Sequence, residues 1–218
     1  MSSAWPLYRA MVGVGLLCGG LIVTVFELTK PVIARNQAEA LQAAVFQVLP
    51  GVASSRAFRY ADPDGFRPLE PGAPADETVV HAGYDASGAF VGVAVEASGM
   101  GYQDVIRLLY GYSPVQQRIV GLRVLESKET PGLGDKIQSD AAFAENFDSL
   151  DAQLDAASAA LAHSIVAVKH GAKTQPWQID GITGATISSN AVANALNRSV
   201  SAWAPRIQAH AAQLQEAR

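Results

Sequence analysis

The feature that most limits how this chain can fold lies near its start. From Ala10 to Phe26 it reads AMVGVGLLCGGLIVTVF, with Arg9 before it, Glu27 and Lys30 behind it, and no charge between. At about 1.5 Å per residue a helix of this run covers roughly 25 Å, and Leu7, Tyr8, Leu28 and Thr29 extend it to the ~30 Å hydrocarbon core of a bilayer. Gly13, Gly15, Gly19 and Gly20 would each weaken a soluble helix, whereas membrane helices tolerate glycine and use it for close packing. The run predicts an uncleaved anchor over 1–29. Signal-peptide cleavage needs small residues shortly after the apolar run, and the first suitable pair, Ala38 and Ala40, lies beyond Glu27, Lys30 and Arg35. Leu17 stands before Cys18, where a lipoprotein would need a small residue. Arg9 on one side against Lys30 and Arg35 on the other leaves the orientation undecided. Gly15 and Gly19 make a GxxxG face that could seat another membrane helix.

Beyond Pro31, ARNQAEALQAAVFQVLP places Leu41, Val45 and Val48 at i, i+4 and i+7, which predicts an amphipathic stalk helix within 30–50, ended by Pro50 and Gly51. The remainder, 51–218, reads as one domain. With 49% apolar and 17% charged residues the chain can bury a sizeable core. Ser54 to Asp76 is rich in Pro, Gly and Asp and predicts irregular structure with one strand at Ala57–Tyr60. Thr78–Tyr84 and Ala89–Glu96 flank the turn Asp85-Ala86-Ser87-Gly88, and Val105–Tyr112 pairs with Arg118–Leu125 across Ser113-Pro114; together they predict an antiparallel meander. Phe143 and Phe147 sit one turn apart in a short helix, alanine-rich Asp151–Ala162 predicts another, and Ser164–Lys169 a strand. A last helix, capped by Ser188 or Ser189, carries the stripe Val192, Leu196, Val200 and Trp203, breaks at Pro205 and resumes through Ile207, Ala211 and Leu214. The fold class is α+β: a transmembrane helix followed by an antiparallel sheet with flanking helices.

Several chemistries fall away. A net charge of −4 without clustered Lys and Arg argues against nucleic acid as a partner. One cysteine and four scattered histidines, with no HxxxH or HxH pair, give no metal-ligand pattern. No GxGxxG follows a strand, which disfavours a Rossmann site. Nothing suggests a catalytic triad or paired carboxylates, so no catalytic residue is assigned.

Two short strings carry more. In Asp180-Gly181-Ile182-Thr183-Gly184-Ala185-Thr186 an Asp-Gly turn and the small Gly184-Ala185 pair lead a bare backbone to Thr186, just before the last helix. A helix N-terminus favours a phosphate there, although an ordinary turn feeding a helix reads the same way. In Ser127–Lys136, the string Glu129-Thr130-Pro131-Gly132-Leu133-Gly134 is on its own a Pro-Gly turn leaving a strand.

Taken together, the two strings resemble the FMN-binding domain family. The first meets every position of that family's flavinylation motif, which implies FMN held by a phosphoester to Thr186, with Asp180, Thr183, Gly184 and Ala185 forming the motif around it. The second resembles the family string that touches the isoalloxazine ring. It implies that Leu133 packs on the ring, that Gly132 and Gly134 bring backbone N–H groups to its polar edge, and that Glu129 and Thr130 belong to the same site. Gly99-Met100-Gly101-Tyr102 resembles a family turn near the flavin. Lys169, His170 and Lys173 either approach the flavin phosphate or form a solvated edge. The continuation ETPGLGDKI is most similar to the G subunits of Rnf complexes, ferredoxin:NAD oxidoreductases coupled to ion translocation; the C subunits of sodium-pumping NADH:quinone reductases and an FMN-binding regulatory module are the alternatives. The resemblance implies an electron relay with no substrate turnover of its own. Its partners would be other Rnf subunits, membrane lipid and a flavin transferase that uses FAD. The soluble domain would lie on the periplasmic side of a bacterial inner membrane.

Overall fold

Helix α1 runs unbroken from Trp5 to Val48 in the computed structural model, which describes residues 4–70 and 78–216. The predicted anchor and stalk are thus one helix, and Pro31 lies inside it. None of its most apolar stretch is buried by protein, and the helix is long and apolar enough to cross a membrane. The Thr24 and Thr29 hydroxyls donate back to the Gly20 and Val25 carbonyls at 2.7 and 2.8 Å, so these polar side chains are satisfied within the helix, as a lipid setting demands. The chain divides into two compact units, one up to Gln42 and one from Ala43 onward.

The second unit is built on a seven-stranded antiparallel sheet. In chain order its strands are β1 (Ser54–Ala61), β2 (Gly65–Pro68), β3 (Val79–Tyr84), β4 (Phe90–Met100), β5 (Val105–Ser113), β6 (Arg118–Glu126) and β7 (Leu150–Asp151), and in space they lie β2-β1-β3-β4-β5-β6-β7. Asp85 fixes the β3–β4 turn by accepting the Ser87 and Ala89 N–H groups at 2.8 and 2.9 Å. The predicted meander is present. The expected single strand at Ala57–Tyr60 is longer and has a partner, β2; residues 71–77 of the stretch expected to be irregular lie outside the described residues.

Side chains alternate across each strand, so the two faces of β5 differ. Tyr110 and Tyr112 face helix α3 (Thr186–Ala209), where the Tyr110 hydroxyl meets Ser199 Oγ at 2.9 Å. Gly111 faces the other way, and with Gly83, Gly92 and Gly121 it forms a row over which the end of α1 lies. A Cβ on Gly111 would stand 2.0 Å from the Val48 carbonyl oxygen and one on Gly121 2.6 Å from it, while one on Gly83 or Gly92 would press on Leu49. Val45, Val48 and Leu49 are fully buried there. At the far edge the Gln213 carboxamide closes β2, accepting from Phe66 N at 2.7 Å and donating to the Asp64 carbonyl. Gln213 belongs to α4 (Ala211–Glu216), which is tied to β3 by the Tyr84 hydroxyl donating to Leu214 O at 2.7 Å.

Three sequence expectations are corrected. Asp151–Ala162 is not a helix: after β7 the chain turns back on itself with a single bridge, Leu154 to Leu161. The Asp155 carboxylate accepts the Ala159 N–H at 2.9 Å and its backbone N–H bonds Ala160 O, a local arrangement that competes with a helix ladder. The last helix starts at Thr186, not after a Ser188 or Ser189 cap. It also runs through Pro205 to Ala209, because Trp203, Ala204 and Ile207 remain in the core on both sides of the proline. The strand in Ser164–Lys169 forms as β8 (Val166–Val168), but it pairs in parallel with β9 (Gln178–Asp180) and stands apart from the meander. Between β6 and β7 lie a 3-10 turn, Gly134–Gln138, and the short helix α2 (Ala141–Glu145), whose first turn the Asp140 carboxylate caps at Phe143 N.

Candidate functional site

The DGITGAT string joins β9 to α3, and its shape follows from a few local bonds. Gly181 N donates to Val168 O at 3.0 Å and extends the β8–β9 ladder; a Cβ on Gly181 would lie 2.7 Å from that oxygen. Ile182 N donates to Ser189 Oγ at 3.1 Å, and Ala185 N to Ile182 O at 3.0 Å. Gly184 holds φ +83°, the left-handed region that favours glycine. The turn delivers Thr186 as the first residue of α3, exposed, on a helix whose start no side chain caps. The unpaired N–H groups and partial positive charge of that start face outward beside the hydroxyl.

The ETPGLG string is organised by Glu129, which is only 5% exposed. Its carboxylate accepts from Gln103 N at 3.0 Å, from Tyr102 N at 3.1 Å and from the Ser188 hydroxyl. Burial alone would raise the Glu129 carboxyl; the donors Ser188, Gln103, Tyr102 and Asp104 outweigh it and hold it below its ordinary value. Gly101 and Gly134 are glycines because a Cβ at either would meet the Glu129 carboxylate, at 2.5 and 2.8 Å. Thr130 accepts the Gln103 carboxamide at 2.8 Å, and Gly132 turns at φ +77°. Leu133 is left 49% exposed, its Cδ2 3.5 Å from where a Gly184 Cβ would stand. The two strings therefore meet at the start of α3: Ser188 ties down one and Ser189 the other.

Beside Thr186 opens a cavity of about 500 Å³ lined by Val168, Lys169, His170, Thr183, Gly184, Thr186 and Asn190 among others. A smaller one of about 180 Å³ lies across the same turn, between Lys136, Asp140 and Phe143 on one side and His170, Asp180 and Thr183 on the other. Lys169 and His170 thus share a cavity wall with Thr186, whereas Lys173 points elsewhere, donating to Asn146 Oδ1 at 3.0 Å. Asp180 faces its own loop: its carboxylate accepts Gly171 N at 2.7 Å and lies 3.5 Å from His170 Nδ1. Ala185 is buried. Asn146, Ser188 and Ser189 had no signal as site residues in the sequence, since Ser188 and Ser189 looked like caps and a lone Asn after a short helix looks like nothing.

The set suits a phosphoflavin. An exposed hydroxyl and an uncapped helix start address a phosphate, Lys169 and His170 add cationic or hydrogen-bonding capacity, and exposed Leu133, Ile187, Met100 and Tyr102 offer apolar surface to a ring system. No group of three or more potential metal ligands occurs among the described residues.

Sheet, helix start and paired strings define an FMN-binding domain, and the model of the family described as FMN-binding domain matches residues 101–201. The model of the RnfG N-terminal region matches residues 11–48. The chain belongs to the family formed by the G subunits of ion-translocating oxidoreductase complexes. It is 31% identical over 190 residues to the G subunit of Methanosarcina acetivorans, covering 87% of this chain and 89% of the relative. Against the Pseudomonas aeruginosa G subunit the identity is 32% over 199 residues, covering 88% and 82%. Among solved structures it shares its fold with the C subunit of the Na(+)-translocating NADH-quinone reductase of Parabacteroides distasonis, at TM-score 0.59 and 18% identity over 79% of this chain and 94% of that one. NqrC of Shewanella oneidensis matches at TM-score 0.50 and 20% identity, over 74% and 83%. The apolar part of α1 is a membrane anchor.

Proposed function

We propose that the chain is the flavin-bearing electron relay of an ion-translocating oxidoreductase complex, with FMN esterified to Thr186 and the domain from Ala43 onward on the periplasmic side. The observation that carries this reading is the meeting of the two strings at one helix start. An exposed threonine stands there on an uncapped first turn, beside a half-exposed leucine and a cavity of flavin size.

Bound FMN supplies one- and two-electron chemistry; the chain's own residues hold and screen it. The helix start and Lys169 balance the phosphoester charge. Leu133 excludes water from a ring face, and Glu129 holds the loop that presents Leu133 and the turn that presents Tyr102. Thr186 would hold FMN through its hydroxyl oxygen as a phosphoester, supplied from FAD by a flavin transferase with AMP, which carries off the hydroxyl proton, as the leaving group.

Intact mass of the chain, produced with and without a flavin transferase, tests the reading. Wild type should gain one FMN less one water only with the transferase. Thr186→Ala should gain nothing while remaining folded, and Thr183→Ser should keep the adduct. An adduct on Thr186→Ala, or none on wild type, would overturn the assignment.

A further inference from the structure

Asn146 is 5% exposed and lies just past α2, outside the cavity, yet its carboxamide is shared among three segments. Oδ1 accepts from Asp180 N at 2.9 Å and from Lys173 Nζ at 3.0 Å; Nδ2 donates to Phe143 O at 3.1 Å and Asp180 O at 3.2 Å. An amide that offers an acceptor to the N–H and a donor to the C=O of one residue gives that residue what a neighbouring strand would give it. Asn146 thus closes the open edge of β9 at Asp180, the first residue of the attachment turn. Asp180 in turn holds the returning loop through Gly171 N at 2.7 Å, and His170 Nδ1 lies 3.2 Å from Gly181 O. Lys173 adds a second tie from that loop to the same carboxamide. The loop and the turn form one side of the cavity that Thr186 lines; Ser189 ties the turn to α3 at Ile182, and Asn146 ties both the turn and the loop to the end of α2.

We propose that Asn146 is a positioning residue: it holds the 169–173 loop and the 180–183 turn rigid, and thereby orients the flavin that Thr186 carries. The second half of this statement rests on the attachment reading above; the first half does not. A joint of this kind is satisfied only by a carboxamide. Asn146→Asp keeps the oxygen that accepts Asp180 N and Lys173 but sets a second oxygen against the Phe143 and Asp180 carbonyls. Lys173→Met removes one tie and leaves β9 closed.

The experiment is amide hydrogen exchange followed by mass spectrometry on the full-length chain in detergent, without flavin, joined to flavin fluorescence anisotropy on the loaded chain. Asn146→Asp should speed exchange in peptides covering 169–173 and 180–183 by tenfold or more and leave β4 and β5 unchanged. Lys173→Met should speed only 169–173. Ser199→Ala, which removes a partner of Tyr110 remote from the joint, should change neither segment. In the loaded chain Asn146→Asp should lower the flavin anisotropy with the covalent adduct still complete. Wild-type exchange in Asn146→Asp, or equal acceleration in Ser199→Ala, would overturn the joint. Faster exchange with unchanged anisotropy would overturn its orienting role. An adduct that persists on Thr186→Ala would instead remove the attachment reading and leave the exchange result standing.

Discussion

Glu129 shows how a residue can matter to a cofactor site from inside the protein. Its carboxyl is held below its ordinary value because three backbone N–H groups and the Ser188 hydroxyl favour the ionised form against burial. A depressed carboxyl stabilises the folded state at pH values above its unfolded pKa, and that contribution fades as pH falls through the folded value. The Tm of the wild-type chain should therefore fall on acidification below about pH 4.5. Glu129→Gln should be less stable at pH 7 by about 2 kcal/mol, the worth of a charge-assisted acceptor, or about 6 °C in Tm for a domain of this size, and should show less of that acid dependence. Leu133 tests the other surface of the same loop. Leu133→Glu should leave the adduct complete and lower the flavin potential measured by redox titration, because a negative charge beside the ring disfavours added electrons; an unchanged potential would remove Leu133 from the ring. The strings that contain the glycines, leucine and threonines of the candidate site stood out in the sequence because they match a known family. Asn146 and Ser188 did not, since a hydrogen bond to a residue 34 or 59 positions away leaves no local pattern, and Ser189, bonded to Ile182 seven positions back, read only as a helix cap.

Elements were legible where periodicity was strong and uncontested. The β3–β6 meander announced itself by alternation and turn residues. Asp151–Ala162 misled because alanine content argues for helix while Asp155 and the Gln117 carboxamide, which accepts Leu154 N at 3.0 Å, supply other partners for the same backbone. Pro205 misled because its local cost is outweighed by the core contacts of Trp203 and Ile207. The glycine row carries a prediction of its own. Gly111→Ala puts a methyl where the Val48 carbonyl oxygen stands, and should cost about 1–3 kcal/mol as the end of α1 is pushed away, read by chemical unfolding. The same contact sets how much of α1 the domain requires. A chain begun at Ala43 should melt cooperatively by circular dichroism. One begun at Gly51 loses the fully buried Val45, Val48 and Leu49, roughly 1.5–3 kcal/mol each, and with them most of a typical domain's stability.

For the molecule as a whole, an apolar helix segment joined to an FMN-binding domain predicts a protein that high salt does not wash from membranes and detergent releases. Recovery of a soluble, N-terminally trimmed form would contradict the anchor. A reporter fused at the C-terminus should be active only outside the cytoplasm. The anchor was plain in the sequence because a long uncharged apolar run has few other uses, whereas three basic residues are too few to set its orientation, which is expected on family resemblance alone. The three tryptophans sit in three unlike settings: Trp5 is 66% exposed near the start of α1, Trp177 is stacked on His163 with ring centroids 3.8 Å apart, and Trp203 is 7% exposed against Phe66 and Tyr60. Their emission should differ in colour accordingly, with the bluest component belonging to Trp203. Replacement of the indoles two at a time by phenylalanine, leaving one in each variant, would turn the chain's native light into three separate reporters, of the lipid-facing segment, of the loop that precedes β9 and of the docking of α3.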